Sequence, residues 1–201
     1  SVQAKNFDTA EKFLNMAIQI QPNNIEAHSN LGILFKELRN FEKSISCYQK
    51  AIKIQSNNAR LHNDLGIVFK ELREFKKSKK CFEKAIEIDF NYAGAHINLG
   101  NVLKELGEYK KAAINYQKAI QLQPNNLKSY LNLAILFKDQ GEIKKAIEYY
   151  EKIVRYETEN LRIHYELNNL KNENINSNLK ENIEKIIKEK KSTKANLAYG
   201  H

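Results

Sequence analysis

The sequence predicts an all-α protein built as a solenoid of stacked helical hairpins. Three observations carry this reading. The chain is self-similar with a period of 34 residues: "AHSNLGILFKELRNFEKSISCYQKAIKI" starts at Ala27, and related segments start at Leu61, Ala95 and Ser129. Pro and Gly are scarce, with 2 and 7 copies in 201 residues, so the tight turns of a β architecture have little to be made from. Apolar residues recur at helical spacing: Leu31, Leu34, Phe35 and Leu38 form one stripe, and Ile45, Tyr48, Ala51 and Ile52 form a second. One hairpin cannot bury both stripes by itself, so hairpins must stack.

In chain order, residues 1–24 read as the second half of a truncated unit, with Phe7, Ala10, Leu14, Ala17 and Pro22 in register. Full units follow at 25–58, 59–92, 93–126 and 127–160. After Asn160 the pattern fades. Leu161 to Leu170 still reads as a first helix, the segment "KNENINSN" is polar and helix-poor, and Leu179, Ile183, Ile186 and Ile187 make one more amphipathic helix. Residues 161–191 are therefore expected to be a divergent hairpin or capping helices, and 192–201 the truncated start of a further helix. On this reading the chain is a piece of a longer protein.

Numbering each unit from its first residue aligns the side chains. Place seven holds Leu31, Leu65, Leu99 and Leu133; place eight holds Gly32, Gly66, Gly100 and Ala134. Place eleven holds Phe35, Phe69, Leu103 and Phe137; place twenty holds Ser44, Ser78, Ala112 and Ala146. Place twenty-four holds Tyr48, Phe82, Tyr116 and Tyr150; place twenty-seven holds Ala51, Ala85, Ala119 and Ile153. Small residues at places eight, twenty and twenty-seven let two helices approach at the low end of the usual separation of about 8–10 Å. This pattern resembles the tetratricopeptide repeat (TPR), although Pro22 and Pro124 are replaced by Ser56, Phe90 and Thr158 in the other units. The resemblance implies a right-handed α-solenoid whose first helices line a concave groove.

The resemblance also implies where a ligand sits. Place six, on the concave face in this family, holds Asn30, Asp64, Asn98 and Asn132, with Glu166 in the weak unit. An asparagine offers both a donor and an acceptor to a peptide backbone. The set is similar to the asparagine ladder in the superhelix of O-linked N-acetylglucosamine transferases, and Asp64 departs from it because a carboxylate only accepts. At about 1 kcal/mol net per bond, four rungs give a dissociation constant near millimolar, so side-chain pockets must add affinity. Their candidates are Ile33, Ile67, Asn101 and Ile135 at place nine, with Asn63 and Ile97 among those at place five. Lys128, beside Asn98 and Asn132, is the one match to the family's clamp for a terminal carboxylate. Lys36, Lys70, Lys104 and Lys138 at place twelve precede Glu37, Glu71, Glu105 and Asp139 at place thirteen. They form either groove-edge charges selecting a ligand of mixed charge or a solvated face with weak local pairs, and their adjacency favours the solvated face.

Other chemistry is disfavoured. Formal net charge is +9, but it comes from lysine with only five arginines, and the aromatics are committed to packing. Basic runs at Lys76–Lys80 and Lys185–Lys191 thus make nucleic acid an unfavoured partner. His28, His62, His96 and His164 share place four, so neighbours are separated by at least a helix packing distance of about 10 Å, too far to converge on one metal ion, and they read as packing residues. Cys47 and Cys81 share place twenty-three and read as reduced, partly buried fillers. No apolar run reaches the roughly 20 residues of a membrane span. The expected protein is a cytoplasmic scaffold that binds a protein or peptide partner, without cofactor or catalytic residues. The rival expectation is the substrate-recognition arm of a larger glycosyltransferase or sulfotransferase. A third is an assembly scaffold that binds through its convex face.

Overall fold

The computed structural model describes residues 2–157, 160–174 and 185. Among them every regular element is helical. The helices are α1 (Val2–Ile20), α2 (Ile25–Glu37), α3 (Phe41–Ile54), α4 (Ala59–Glu71), α5 (Phe75–Ile88), α6 (Ala93–Glu105), α7 (Tyr109–Leu122), α8 (Leu127–Asp139) and α9 (Ile143–Tyr156). A further helix, α10, covers residues 161–174. The chain divides into two compact units, Ser1–Ser129 and Tyr130–His201.

Local chemistry sets the helix ends. Asn24 and Asn58 cap α2 and α4, their side chains accepting from Ala27 N at 2.9 Å and from Arg60 and Leu61 N. Asn160 does the same for Ile163 N at 3.3 Å. Such caps satisfy amides that the first turn leaves open. The first helices end in a left-handed residue at place fifteen: Arg39, Arg73, Gly107 and Gly141, with φ between 57° and 74°. The next amide then bonds back past the turn, as Asn40 N does to Phe35 O at 2.8 Å. This sharp stop folds the second helix back onto the first.

Each hairpin of the first unit closes through one contact. The ring at place twenty-four lies against the glycine at place eight. A Cβ built on Gly32, Gly66 or Gly100 would come within 2.8, 2.7 and 2.5 Å of Tyr48, Phe82 and Tyr116. Those rings are almost fully buried. In two hairpins a second tie forms: Ser44 and Ser78 donate their hydroxyls to the Gly32 and Gly66 carbonyls, both at 2.7 Å. Ala112 fills that place in the third hairpin and is equally buried.

Between hairpins the apolar stripes interdigitate. Leu31, Leu34, Phe35 and Cys47 receive Phe7, Ala10, Leu14 and Ile18 of α1. Tyr48, Ala51, Leu61, Leu65, Val68 and Phe69 form the next layer, with Ile33 and Ile45 against it. The first helices stand side by side, since α4 touches α6 directly. Leu38 departs from its predicted stripe and is 45% exposed. It is the C-cap of α2, where the backbone leaves helical geometry and carries the side chain off the buried face.

In the second unit, Phe137 stacks on Tyr149 at 5.7 Å, and Tyr130 meets both Tyr149 and Tyr156. Ile163, Leu167 and Leu170 of α10 are buried. Residues 171–174, expected to be helix-poor, continue α10 instead. Leu170 anchors that last turn, and Lys171 pairs with Glu151 at 2.7 Å. The expected helix over Leu179–Ile187 and the segment 192–201 lie outside the described residues, apart from Lys185.

The glycine contact yields a stability prediction. Gly100→Ala gains up to about 1 kcal/mol of helix propensity but overpacks the site against Tyr116, at a cost of about 1–3 kcal/mol. Tyr116 also donates its hydroxyl to Asn101 at 2.8 Å, so the ring is held from its far end. A net loss of about 1–2 kcal/mol in urea unfolding is expected. An unchanged or raised midpoint would show that the ring moves aside freely.

Candidate functional site

The first helices place their sixth and fifth residues on one side of the row. Asn98 on α6 donates Nδ2–H to Asn63 Oδ1 on α4 at 2.9 Å. Asn63 in turn donates Nδ2–H to Asp64 Oδ1 at 3.2 Å. Arg60 Nε lies 3.7 Å from the other Asp64 oxygen. Two predicted rungs are thus joined through Asn63, which is only 4% exposed. The chain of bonds runs in one direction, from amide to amide to carboxylate. Asp64 can only accept, and it closes the chain as an acceptor must.

The remaining predicted residues are placed as follows. Asn30 is exposed on α2, Ile33 and Ile67 are half-buried, and Lys128 is exposed at the start of α8. Asn101 is half-buried and accepts from Tyr116. Ile97, expected as a pocket wall, is 5% exposed and belongs to the core. Asn132 and Ile135 are half-buried in the second unit.

Burial perturbs the acid in this row. Desolvation raises the Asp64 pKa, against the Asn63 hydrogen bond and the Arg60 and Lys36 charges, which lower it. Its charged form is therefore disfavoured in the fold. The thiols are pushed up as well: Cys81 reaches about 11 through burial, and Cys47 moves in the same direction for the same first cause. Both cysteines are free.

The histidines tie the turns down. His28, His62 and His96 each bring Nε2 to the carbonyl six residues earlier, Pro22, Ser56 and Phe90, at 2.9–3.0 Å. Since a carbonyl only accepts, the ring nitrogen donates. His164 is exposed. Among the described residues, no three His, Cys, Asp or Glu side chains are grouped to hold a metal ion. Nor is any described helix long and apolar enough to cross a membrane.

The twelfth-place lysines depart from expectation. All four are half-buried, while their neighbours Glu37, Glu71, Glu105 and Asp139 are exposed. Lys36 does pair locally with Glu37 at 3.1 Å, but Lys138 reaches Glu166 on α10 at 2.9 Å. Half-burial corrects the expectation of a solvated face for these lysines, while the local pair expected there is present at Lys36–Glu37. A lysine of this burial can cover its apolar stem while the ammonium group stays in water.

Family models described as "Tetratricopeptide repeat" match residues 25–58, 59–92 and 127–160, and one described as "TPR repeat" matches 100–141. No curated protein matches the sequence. Among solved structures, MamA is 23% identical with a TM-score of 0.71, covering 80% of this chain and 94% of MamA. PilF of Pseudomonas aeruginosa is 23% identical with a TM-score of 0.71, covering 84% of this chain and 81% of its own. YrrB, described as a TPR protein with an unusual peptide-binding site, is 20% identical with a TM-score of 0.67, covering 81% and 84%. At these identities the likeness is one of fold.

The raised Asp64 pKa sets a pH signature. A carboxyl whose folded pKa lies above its unfolded value costs stability once it is ionised in the fold. That cost is complete above the folded pKa and vanishes below the unfolded one, near 4. Asp64→Asn keeps the bond from Asn63 and removes the charge. Its Tm should exceed that of the wild type at neutral pH and converge with it in acid. A variant that is less stable at neutral pH would show that Arg60 and Lys36 outweigh the desolvation.

Proposed function

The chain belongs to the tetratricopeptide-repeat family, and from that premise we propose that it is a protein-interaction scaffold holding an extended segment of a partner protein against its first helices. It does so without a cofactor and without chemistry of its own. The observation that carries the proposal is the bonded row Asn98–Asn63–Asp64. Amides fixed in this way present their remaining donors and acceptors in a set direction. Asn98 keeps its Oδ1 and a second N–H uncommitted among the described residues. A peptide backbone, which alternates donor and acceptor along its length, is the ligand that suits such an edge. YrrB carries a peptide-binding site on a similar fold, which supports the reading by analogy.

Within the first unit, the proposed face runs from Asn30 past Asp64 to Asn98. Ile33 and Ile67 serve as apolar seats, and Asn101 and Lys128 lie at its margin. Asn132 and Ile135 are the corresponding residues of the second unit. Hydrogen bonds alone make this face weak, so the isoleucines and the charges along it must supply the rest of the affinity.

A selection of random displayed peptides on the immobilised chain, followed by fluorescence anisotropy of the winners, tests the proposal. Asn30→Ala and Asn98→Ala should each weaken binding about fivefold, the equivalent of about 1 kcal/mol. Lys80→Ala, on an exposed position of α5, should leave it unchanged. Winners that depend on Lys80 and ignore both asparagines would place recognition on the second helices and overturn the proposal.

A further inference from the structure

The charge along the first-helix row is unevenly matched. Of the four twelfth-place lysines, Lys36 and Lys138 have an acid at the sixth place of the next hairpin, Asp64 and Glu166, whereas Lys70 and Lys104 have Asn98 and Asn132. Lys36 acts on the Asp64 carboxylate, and Lys138 bonds Glu166 at 2.9 Å. For Lys70 the corresponding residue is Asn98, which carries no charge. Lys70 makes no ion pair among the described residues, and it is half-buried. Desolvation lowers its pKa, Lys128 and Lys36 lower it further, and only Glu71 acts against them. A cation in this position gains from an added negative charge.

The surroundings form a seat. Lys70 lines an open cleft of about 440 Å3 together with Arg73, Phe75, Asn101, Lys104 and Glu105. Three of these side chains are cationic and one is anionic. Arg73 occupies the left-handed turn, with φ at 58°, and its guanidinium lies 5.7 Å from the Phe75 ring centroid. The ring keeps the guanidinium at the rim of the cleft. Lys104 has an interaction of its own and contributes its charge to the wall.

We propose that this cleft receives an acidic side chain of an extended peptide, with Lys70 and Arg73 as its counter-charges. This deepens the reading of the first-helix row as a peptide face and rests on it. The expected ligand carries an Asp or Glu where its backbone passes from α4 to α6. An internal carboxylate suits the site better than a polyphosphate chain does. Glu105 lines the same cleft and repels a continuous run of negative charge. Phe75 is faced by Arg73, which leaves it poorly placed to stack on a base.

The test uses the full 201-residue chain and three fluorescent probes in anisotropy titrations. One is a C-terminally amidated peptide of alternating Glu and Ser, the second its Gln–Ser counterpart, and the third an oligouridylate. Amidation leaves side-chain carboxylates as the only acidic groups along the peptide. At low salt the Glu probe should bind about tenfold tighter than the Gln probe, and added salt should erode the difference. Lys70→Gln should abolish the preference. Asn98→Asp, which puts an acid at the place Asp64 and Glu166 hold for Lys36 and Lys138, should abolish it too. Lys36→Gln should retain it. Melting curves establish that each variant is folded.

Equal binding of the Glu and Gln probes would overturn the acidic seat, as would failure of both to bind. So would an oligouridylate that displaces the Glu probe. If displayed peptides still require Asn98 while the two peptide probes bind alike, the seat fails and the peptide face stands. If Asn98→Ala has no effect on any selected peptide, the peptide face itself fails.

Discussion

The structure depends on an aromatic ring lying directly on a helix backbone. Tyr48 over Gly32, Phe82 over Gly66 and Tyr116 over Gly100 repeat the same contact at the same place in three hairpins. A side chain at the glycine would separate the two helices by about the thickness of a methyl group. With none there, the hairpin closes, the ring is sealed from water, and both helices turn apolar stripes toward the next hairpin. The serine hydroxyls of Ser44 and Ser78 add to the closure by satisfying the glycine carbonyls inside it. Ala134, 0% exposed, occupies the same place in the fourth repeat, so the contact is adjustable. The ring there is Tyr150, whose hydroxyphenyl group is also buried.

Closed hairpins have a polar consequence. When first helices stand side by side, their shared edge brings residues of successive hairpins within hydrogen-bond reach. Asn98 meets Asn63 across that edge, and the amide passes the interaction on to Asp64. The edge is therefore ordered before any ligand arrives, which lowers the entropic cost of binding. The same edge concentrates lysine. The sixth place of the following hairpin is acidic for Lys36 and Lys138 and an asparagine for Lys70 and Lys104, so the local charge varies from repeat to repeat. Lys70, with Asn98 at the corresponding place and no ion pair among the described residues, keeps its positive charge in excess.

Much of the fold was legible in the sequence, because it rests on period and side-chain size. The 34-residue repeat, the glycines at place eight and the rings at place twenty-four determine the hairpins, and all are visible as letters. The misreadings share a cause: local spacing was used where the deciding partner is remote. Leu38 has the spacing of the α2 stripe, but the cap geometry turns it outward. "KNEN" looks unfavourable for helix, yet buried Leu170 and the ion pair from Lys171 to Glu151 carry α10 through it. Lys36 through Lys138 stand next to acids in sequence, while the acids that matter for Lys36 and Lys138 include Asp64 and Glu166, 28 residues further on. A signal for this was present, since Asp64 and Glu166 break the asparagine series at the one place that faces those lysines. Asn63 was recognised as a candidate, but its role as the link between two rungs needed coordinates, because it joins α4 to α6.

The central claim is that ligand contact falls on the first helices and not on the second. Chemical-shift mapping of the isotope-labelled chain, titrated with a peptide selected for binding, tests it most directly. The account predicts that perturbed amides and side-chain NH2 groups cluster on α2, α4 and α6, with the Asn63 and Asn98 side chains among the largest. Perturbations concentrated on α3, α5 and α7, with those two amides unmoved, would contradict it.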